Sequence, residues 1–164
     1  ETIRATTSFL MADSTTPDGD YIKPQTNPTN TDCWNGKAYT PLNQLTPGRT
    51  KYGTNNNVRI FRYADVLLMN AEAKIKNGKS GDAPFNEVRR RAQMPELTNV
   101  TFEQVIDERR MELVCEWGER YNDLVRTGLA KTELKGWSED KALLPLPFNQ
   151  YTQIPDLLKE PKDE

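Results

Sequence analysis

The 164-residue sequence contains no histidine. Without an imidazole, the chain cannot form a Ser-His-Asp or Cys-His nucleophilic system, and no metal can be ligated through histidine. Catalysis by a pair of carboxylates, as in glycoside hydrolysis, is compatible with this composition. Cysteine is also scarce: Cys33 and Cys115 are the only two, and they match no metal-binding spacing. They are either two separate thiols or, in an oxidising compartment, one disulfide.

An excess of basic charge and a long apolar run are missing as well. The 22 basic and 24 acidic residues give a formal net charge of −2, which disfavours nucleic acid as a partner. No apolar run approaches ~18 residues, so the sequence predicts no membrane-spanning helix. Hydrophobic residues make up 35% of the chain, and we expect one domain with a small core. The chain starts with Glu1 rather than methionine, and we expect it to be a fragment of a longer protein.

Residues 1–57 are predicted to form an irregular, loop-rich segment. They are rich in Thr, Asn, Pro and Gly and contain turn signals such as Pro17-Asp18-Gly19 and Asn35-Gly36. Loosely alternating β-branched residues over 2–11 predict one short strand. Aromatic residues argue against disorder of this segment, because disordered tracts contain few of them: Tyr21, Trp34, Tyr39 and Tyr52.

Residues 58–164 are predicted to form a helical region that starts with a helical hairpin. A stripe of apolar residues at steps of three and four predicts a first helix over about 61–77: Phe61, Ala64, Leu68, Ala71 and Ile75. Asp82 is predicted to cap a second helix that ends before Pro95 and carries three apolar residues, Phe85, Val88 and Ala92. The connection between the two helices is short, so they are expected to be antiparallel neighbours.

Two more helices are expected after the hairpin. Thr101 and Gln104 form a capping-box pattern at the start of the third helix. Its apolar face is predicted to comprise five residues, Phe102, Val105, Ile106, Leu113 and Trp117, before Gly118 ends it. A short fourth helix is predicted over 120–127 and ends at Gly128.

Arg109 falls within the apolar face of the third helix, where a guanidinium needs a carboxylate partner because it cannot lose its proton. The nearest carboxylates along the sequence are Glu112, Glu116 and Asp123, and Arg120 and Arg126 flank Asp123. We therefore predict a partly buried structural ion-pair network that contains these six residues. It should hold the third helix to the fourth helix and to the hairpin.

Glu112 and Glu116 also suggest a different function, since their i, i+4 spacing is compatible with a pair of catalytic carboxylates. A general acid, however, needs a raised pKa, and the neighbouring arginines are expected to keep both groups ionised. The sequence therefore favours a structural role for this pair over a catalytic one, and we predict no catalytic residue.

Five segments, taken together, resemble the motifs of one known family. They occur in the same order as in SusD/RagB proteins, and they are Arg62–Ala73 (RYADVLLMNAEA), Asn86–Ala92 (NEVRRRA), Glu108–Leu113 (ERRMEL), Glu116–Gly128 (EWGERYNDLVRTG) and Leu144–Pro147 (LPLP). The chain departs from the family pattern at Trp117, which is inserted between the usual Glu and Gly. It also lacks the usual Q-N-P-G close near residue 156.

The resemblance implies a mainly α fold of tetratricopeptide-like helical hairpins with long irregular loops, of which this chain matches only the C-terminal part. It implies a lipoprotein on the outer face of the outer membrane, anchored through an N-terminal lipid that is absent from this chain. Such proteins bind a glycan, or in some members a peptide, and deliver it to a SusC-like TonB-dependent transporter. They are not enzymes, and no cofactor is implied.

The residues that contact a glycan cannot be carried over by motif, so we predict them from chemistry. Sugars stack on aromatic faces, while amide and carboxylate groups bind their hydroxyls. Trp34 with Asp32, Asn35 and Tyr39 has this composition. Two alternatives remain open: Trp34 pins its loop to the helices, and the whole chain is a helical-repeat protein-interaction module without its own glycan site. No metal is expected, since the acids at 13, 18 and 20 lack EF-hand spacing.

Overall fold

The computed structural model describes residues 2–24, 32–48, 54, 56–117, 119–143, 147, 150 and 153. Within these ranges the chain is mainly α-helical, as predicted. It divides into two compact units, Glu1–Asp123 and Leu124–Glu164. The boundary predicted after residue 57 therefore lies inside the first unit.

The chain begins with helix α1, Thr2–Ser8, which leads into strand β1, Phe9–Met11. The strand predicted over 2–11 is therefore wrong for its first seven residues. Arg4 and Ser8 lie one helical turn apart and are both buried. Their packing offsets the small helix penalty of the β-branched residues nearby, so tertiary packing outweighs strand propensity in this segment.

Three further short strands organise the polar segment. Strand β4, Cys33–Asn35, pairs antiparallel with β1, with Trp34 opposite Leu10. Strands β2, Ser14–Thr15, and β3, Tyr21–Ile22, form a second antiparallel pair. A 3-10 turn over Gly36–Ala38 follows β4, and a Cβ atom at Gly36 would collide with the backbone carbonyl of Thr7. A glycine at this position therefore lets the turn approach α1 closely; a second 3-10 turn spans Leu42–Gln44.

The core of the first unit lies among helices α2, Tyr63–Lys76, α3, Asp82–Arg91, and α4, Phe102–Glu112. Helix α2 packs against both α3 and α4. The core cluster consists of small and branched apolar side chains around one phenylalanine: Ala64, Leu67, Leu68, Ala71, Phe85, Val88, Val100 and Val105. The predicted helices are confirmed to within about two residues at most ends, as is usual for such boundaries. Phe61, by contrast, precedes α2 and is exposed.

The predicted capping box of α4 is confirmed. The Thr101 hydroxyl accepts from the Gln104 amide at 3.3 Å, and the Gln104 side chain accepts from the Thr101 amide at 2.9 Å. The cap predicted for α3 is wrong, because Gly81 occupies the N-cap position and Asp82 is the first helical residue. The Asp82 carboxylate instead accepts from the backbone amides of Asn99 and Val100, and these two bonds lower its pKa.

Helix α4 ends at Glu112, earlier than predicted, and Gly118 lies outside the described residues. Cys115 has a positive φ of 65°, which is incompatible with a continuing right-handed helix. Leu113 is buried, whereas Trp117 is 65% exposed and does not belong to the apolar face of α4. Helix α5, Glu119–Thr127, follows and matches the fourth predicted helix.

The second unit contains the end of α5, a short helix α6, Ala130–Glu133, and a 3-10 turn, Glu139–Ala142. An exposed ion pair joins Lys131 to Glu139 at 2.7 Å. Most of the Leu144–Pro147 motif lies outside the described residues, as does Tyr52 in the first unit. No helix in the described ranges is long and apolar enough to cross a membrane.

Candidate ligand-binding cleft

A cleft of about 780 Å³ lies in the first unit. Its walls come from α1, the turn after β4, the segment that precedes α2, and the residues around the end of α4. Most of the lining residues are polar or charged. The residues that matter below are Asn35, Lys37, Tyr39, Arg59, Arg62, Arg91, Glu112, Glu116 and Trp117. Elements distant in sequence therefore converge on one polar depression.

Glu112, at the last turn of α4, is the most buried carboxylate of this cleft, with 3% of its side chain exposed. Arg62 donates to it from Nη1 at 2.9 Å, and the Nε atom of Arg4 lies 3.2 Å from its other oxygen. Arg91 donates to it from α3. One carboxylate thereby ties α1, α3 and the start of α2 to α4.

Glu116 lies beyond the end of α4 and has two cationic partners. Arg62 binds both of its oxygens, from Nε at 2.6 Å and from Nη2 at 2.8 Å, and Lys37 donates to it at 2.7 Å. Arg62 and Lys37 also donate to the backbone carbonyl of Glu112, at 2.9 and 2.6 Å. Cations at the carbonyl end of a helix are favourable because they oppose its dipole.

Glu108 completes this group of charges by accepting from Arg4 and, at 2.6 Å, from Arg89. We refer to these eight residues as the cleft ion network: Arg4, Lys37, Arg62, Arg89, Arg91, Glu108, Glu112 and Glu116. The network contains five cations and three carboxylates. Its acidic residues are on or just after α4, while its basic residues come from the surrounding elements.

The network keeps Glu116 ionised. Burial raises the pKa of this carboxyl, but hydrogen bonds from Arg62 and Lys37 outweigh burial and lower the pKa below its ordinary value. Burial lowers the pKa of Arg62, and Glu116 and Glu112 raise it to a net value above normal. A carboxyl with a lowered pKa carries no proton to donate near neutral pH, so this arrangement does not favour the general-acid alternative.

The lowered pKa of Glu116 predicts a specific dependence of stability on pH. A group whose pKa is lower in the folded state stabilises the protein above its unfolded pKa, here near 4.5, and this contribution is lost as the pH falls further. We expect the Glu116→Gln variant to show a shallower loss of stability below pH 4.5 than the wild type, measured by urea unfolding at several pH values. Glu87→Gln, at an exposed position of α3, should retain the wild-type slope; equal slopes for Glu116→Gln and wild type would contradict the prediction.

Arg109 belongs to a second, separate group of charges. Its guanidinium donates to Asp65 on α2 at 2.6 Å and to Asp123 on α5 at 2.8 Å, and it lies 3.5 Å from Glu119. Arg109, Asp65 and Asp123 are all buried. Of the three carboxylates predicted as its partners, only Asp123 contacts it, since Glu112 and Glu116 face the cleft instead. Arg120 is half-buried and Arg126 exposed.

Asp65 was missed by sequence reasoning, although a signal for it existed. It lies between Ala64 and Leu68 on the apolar side of α2, where an ionised carboxylate requires a cation. Arg4 and Lys37 were missed as well, because no local pattern connects the loop-rich segment with α4.

Only two of the four residues predicted to contact a glycan lie at the cleft. Asn35 and Tyr39 line the cleft, whereas Trp34 and Asp32 do not. Neighbouring residues of a strand point to opposite faces, so Trp34 faces away from Asn35 and is half-buried. The Asn35 side chain donates to the carbonyl of Cys115 at 2.9 Å, which fixes the strand end beside α4.

Trp117, which the sequence placed on the apolar face of the third helix, lines the cleft. Its indole Nε1 donates to the carbonyl of Arg59 at 2.6 Å, and this bond restrains the ring while most of its surface stays exposed. The sequence signal was available: Trp117 is the residue inserted in the family-like motif.

Two of the turn carboxylates of the loop-rich segment, Asp13 and Asp20, have protein partners. Asp13 accepts from the Tyr21 hydroxyl at 2.6 Å, and Asp20 accepts from the Tyr39 hydroxyl and from the Leu42 amide. No group of three His, Cys, Asp or Glu side chains within the described ranges is placed to hold a metal ion. Cys33 and Cys115 are both free thiols.

Comparison with known proteins identifies the family. The family model described as "SusD family" matches residues 4–157. The SusD-like protein P38 of Formosa agariphila is 33% identical over 119 residues, which is 62% of this chain and 24% of that protein. The match therefore extends well beyond the individual motifs.

Solved structures agree with this assignment. Surface glycan-binding protein A from Bacteroides uniformis has a TM-score of 0.70 and 28% identity, covering 94% of this chain and 37% of its own. The same-named protein from Bacteroides thetaiotaomicron, in complex with laminarihexaose, has a TM-score of 0.69 and 30% identity, covering 85% and 32%. The chain thus spans about a third of the length of these structures, and it belongs to the SusD family.

Proposed function

We propose that the protein binds an extracellular polysaccharide or oligosaccharide at the cell surface and delivers it to a SusC-like TonB-dependent transporter. Family membership supports this proposal. The solved relatives named above are surface glycan-binding proteins, and one of them is in complex with laminarihexaose. Attachment to the outer membrane would come from an N-terminal lipid. The single observation that carries the proposal is the exposed, hydrogen-bonded Trp117 at the polar cleft.

The cleft has the chemistry that sugar recognition requires. A pyranose offers a face of C–H groups, which packs on an aromatic ring, and a rim of hydroxyls, which need donors and acceptors. Trp117 supplies an exposed indole, and its bond to the Arg59 carbonyl reduces the entropy lost when a ligand orders the ring. The amides of Asn35, Asn56 and Asn57 line the same cleft.

The proposal keeps Asn35 and Tyr39 as ligand-facing residues and assigns the stacking role to Trp117. Trp34 is half-buried on the other face of β4, where it packs in the strand pair with β1. Asp32 is exposed but does not line the cleft, and its carbonyl accepts from the Ala12 amide at 2.9 Å. The two tryptophans therefore provide a matched pair for testing where a glycan binds.

Trp117→Ala in the full-length protein is expected to weaken glycan binding about tenfold, because the variant loses an aromatic stacking surface. The measurement is calorimetric titration with a panel of oligosaccharides that includes laminarihexaose. Trp34→Ala serves as the control and should change affinity by less than about twofold. The opposite ranking of the two variants would relocate the site to the outer face of β4.

One observation favours the alternative of a protein-interaction module. Large apolar side chains are exposed along the segment before α2 and on one side of that helix: Val58, Ile60, Phe61, Tyr63, Val66 and Met69. An exposed apolar strip of this kind is typical of a surface that binds another protein. If the full-length protein bound a SusC-like partner in pull-down but no glycan in the panel, this alternative would replace the leading proposal.

A further inference from the structure

Cations outnumber carboxylates among the described residues of the cleft. Among the described residues that line it are five cations, Arg4, Lys37, Arg59, Arg62 and Arg91, but two carboxylates, Glu112 and Glu116. Adding Glu108, which binds Arg4 from outside the lining, still leaves the cations in excess. The whole chain has a formal net charge of −2, so this excess is local.

Both carboxylates of the cleft are already shared among its own cations. Glu112 is shared by Arg4, Arg62 and Arg91, and Glu116 is shared by Arg62 and Lys37. Bringing like charges together in a partly desolvated site is costly unless an anion compensates them. A neutral ligand leaves this imbalance in place, whereas an anionic ligand relieves it.

Arg59 is the cation best placed for a ligand. It is exposed, and in the described part of the chain no carboxylate contacts its guanidinium. Its own carbonyl accepts the Trp117 indole N–H, which sets the base of this side chain next to the aromatic surface. Arg91 is a second accessible cation, with 59% of its side chain exposed although it also contacts Glu112.

We propose that the glycan bound in this cleft is anionic, with a sugar ring on Trp117 and a carboxylate or sulfate group on Arg59. This inference rests on the proposed function and specifies its ligand class. A guanidinium offers two parallel N–H donors that match the oxygens of a carboxylate or a sulfate. The same two side chains thus read both features of a charged sugar, its apolar face and its anion.

The test is calorimetric titration of the full-length protein with three oligosaccharides of similar length: an oligogalacturonate, a sulfated carrageenan oligosaccharide and neutral laminarihexaose. At least one charged probe is expected to bind ten or more times tighter than the neutral one, and its affinity should fall as salt is raised. The charged probe that binds identifies whether the anion is a carboxylate or a sulfate. Arg59→Gln should weaken binding of that probe about tenfold and leave any neutral binding unchanged, while Arg110→Gln, an exposed residue that does not line the cleft, should change neither.

Each other outcome has a defined meaning. Tighter binding of laminarihexaose than of either charged probe would overturn this inference and leave the proposed function intact. Failure of all three probes would overturn the inference and, if it extended to the whole glycan panel, the proposed function too. Equal weakening of charged and neutral binding by Arg59→Gln would show that Arg59 does not read an anion.

Discussion

Replacing Arg109 with alanine is expected to lower the free energy of unfolding by about 3–5 kcal/mol, the usual cost of removing one partner from a buried ion pair. The loss is large because Asp65 would remain buried without the cation bonded to it, and buried Asp123 would lose one of its bonds. Burial opposes the charge of Arg109, but its bonds to Asp123 and Asp65 raise its pKa above the normal value, so the guanidinium stays protonated. The variant loses the guanidinium on α4 that forms ion pairs with both α2 and α5.

Urea unfolding followed by circular dichroism measures this effect, and the neighbouring arginine provides the control. Arg110 is exposed, and its only ion pair in the described ranges is with Asp107 at 4.0 Å. Arg110→Ala should therefore cost less than about 1 kcal/mol. Equal unfolding midpoints for the two variants would mean that the Arg109 group contributes no net stability.

The helices of the first unit were predictable because their signals are local. The apolar stripe of α2 and the capping box of α4 each lie within one element, and short-range periodicity or side-chain reach determines both. The premature end of α4 was not predictable in this way. The helix ends at Glu112, and the positive φ of Cys115 prevents it from resuming before Gly118. The distant Asn35 binds the Cys115 carbonyl and stabilises this turn.

The candidate site was predictable only in its outline. Sequence reasoning found the carboxylates Glu112 and Glu116 and the need for arginines near them. The sequence analysis paired these carboxylates with Arg109, however. Helical spacing identifies only partners within about one turn of the same helix, so it cannot detect partners from other elements. Arg62 reaches Glu112 across 50 residues of sequence and Glu116 across 54. Arg4 reaches Glu112 from the other end of the chain, and only folding brings these groups together.

Residues that stabilise the fold lie within the family-like motifs, whereas the residues proposed to bind a ligand lie mostly outside them. The motif residues Arg62, Glu108 and Glu112 hold the helices together and would do so whatever ligand is bound. The residues proposed to face a ligand, Asn35, Arg59 and Trp117, line the cleft and lie outside these motifs or in their one insertion. Specificity within the family is therefore expected to vary in this second set, while substitutions in the first set should act mainly on stability.

Glu112→Gln is the substitution that separates these two roles most sharply. The change preserves side-chain volume but removes the charge that Arg4, Arg62 and Arg91 share, and it enlarges the excess of cations in the cleft ion network. We expect a loss of about 3 kcal/mol in the free energy of unfolding, at the low end for buried pairs because the partly exposed Arg62 and Arg91 can turn to water.

The control for this variant is Glu96→Gln, the same chemical change at an exposed ion pair. Glu96 accepts from Arg90 at 3.0 Å with about half of each side chain exposed, so its loss should cost less than about 1 kcal/mol. Urea unfolding of the two variants against wild type gives the comparison. If Glu112→Gln were as stable as Glu96→Gln, the cleft ion network would contribute nothing to folding, and its retained charges would have to be explained by ligand binding alone.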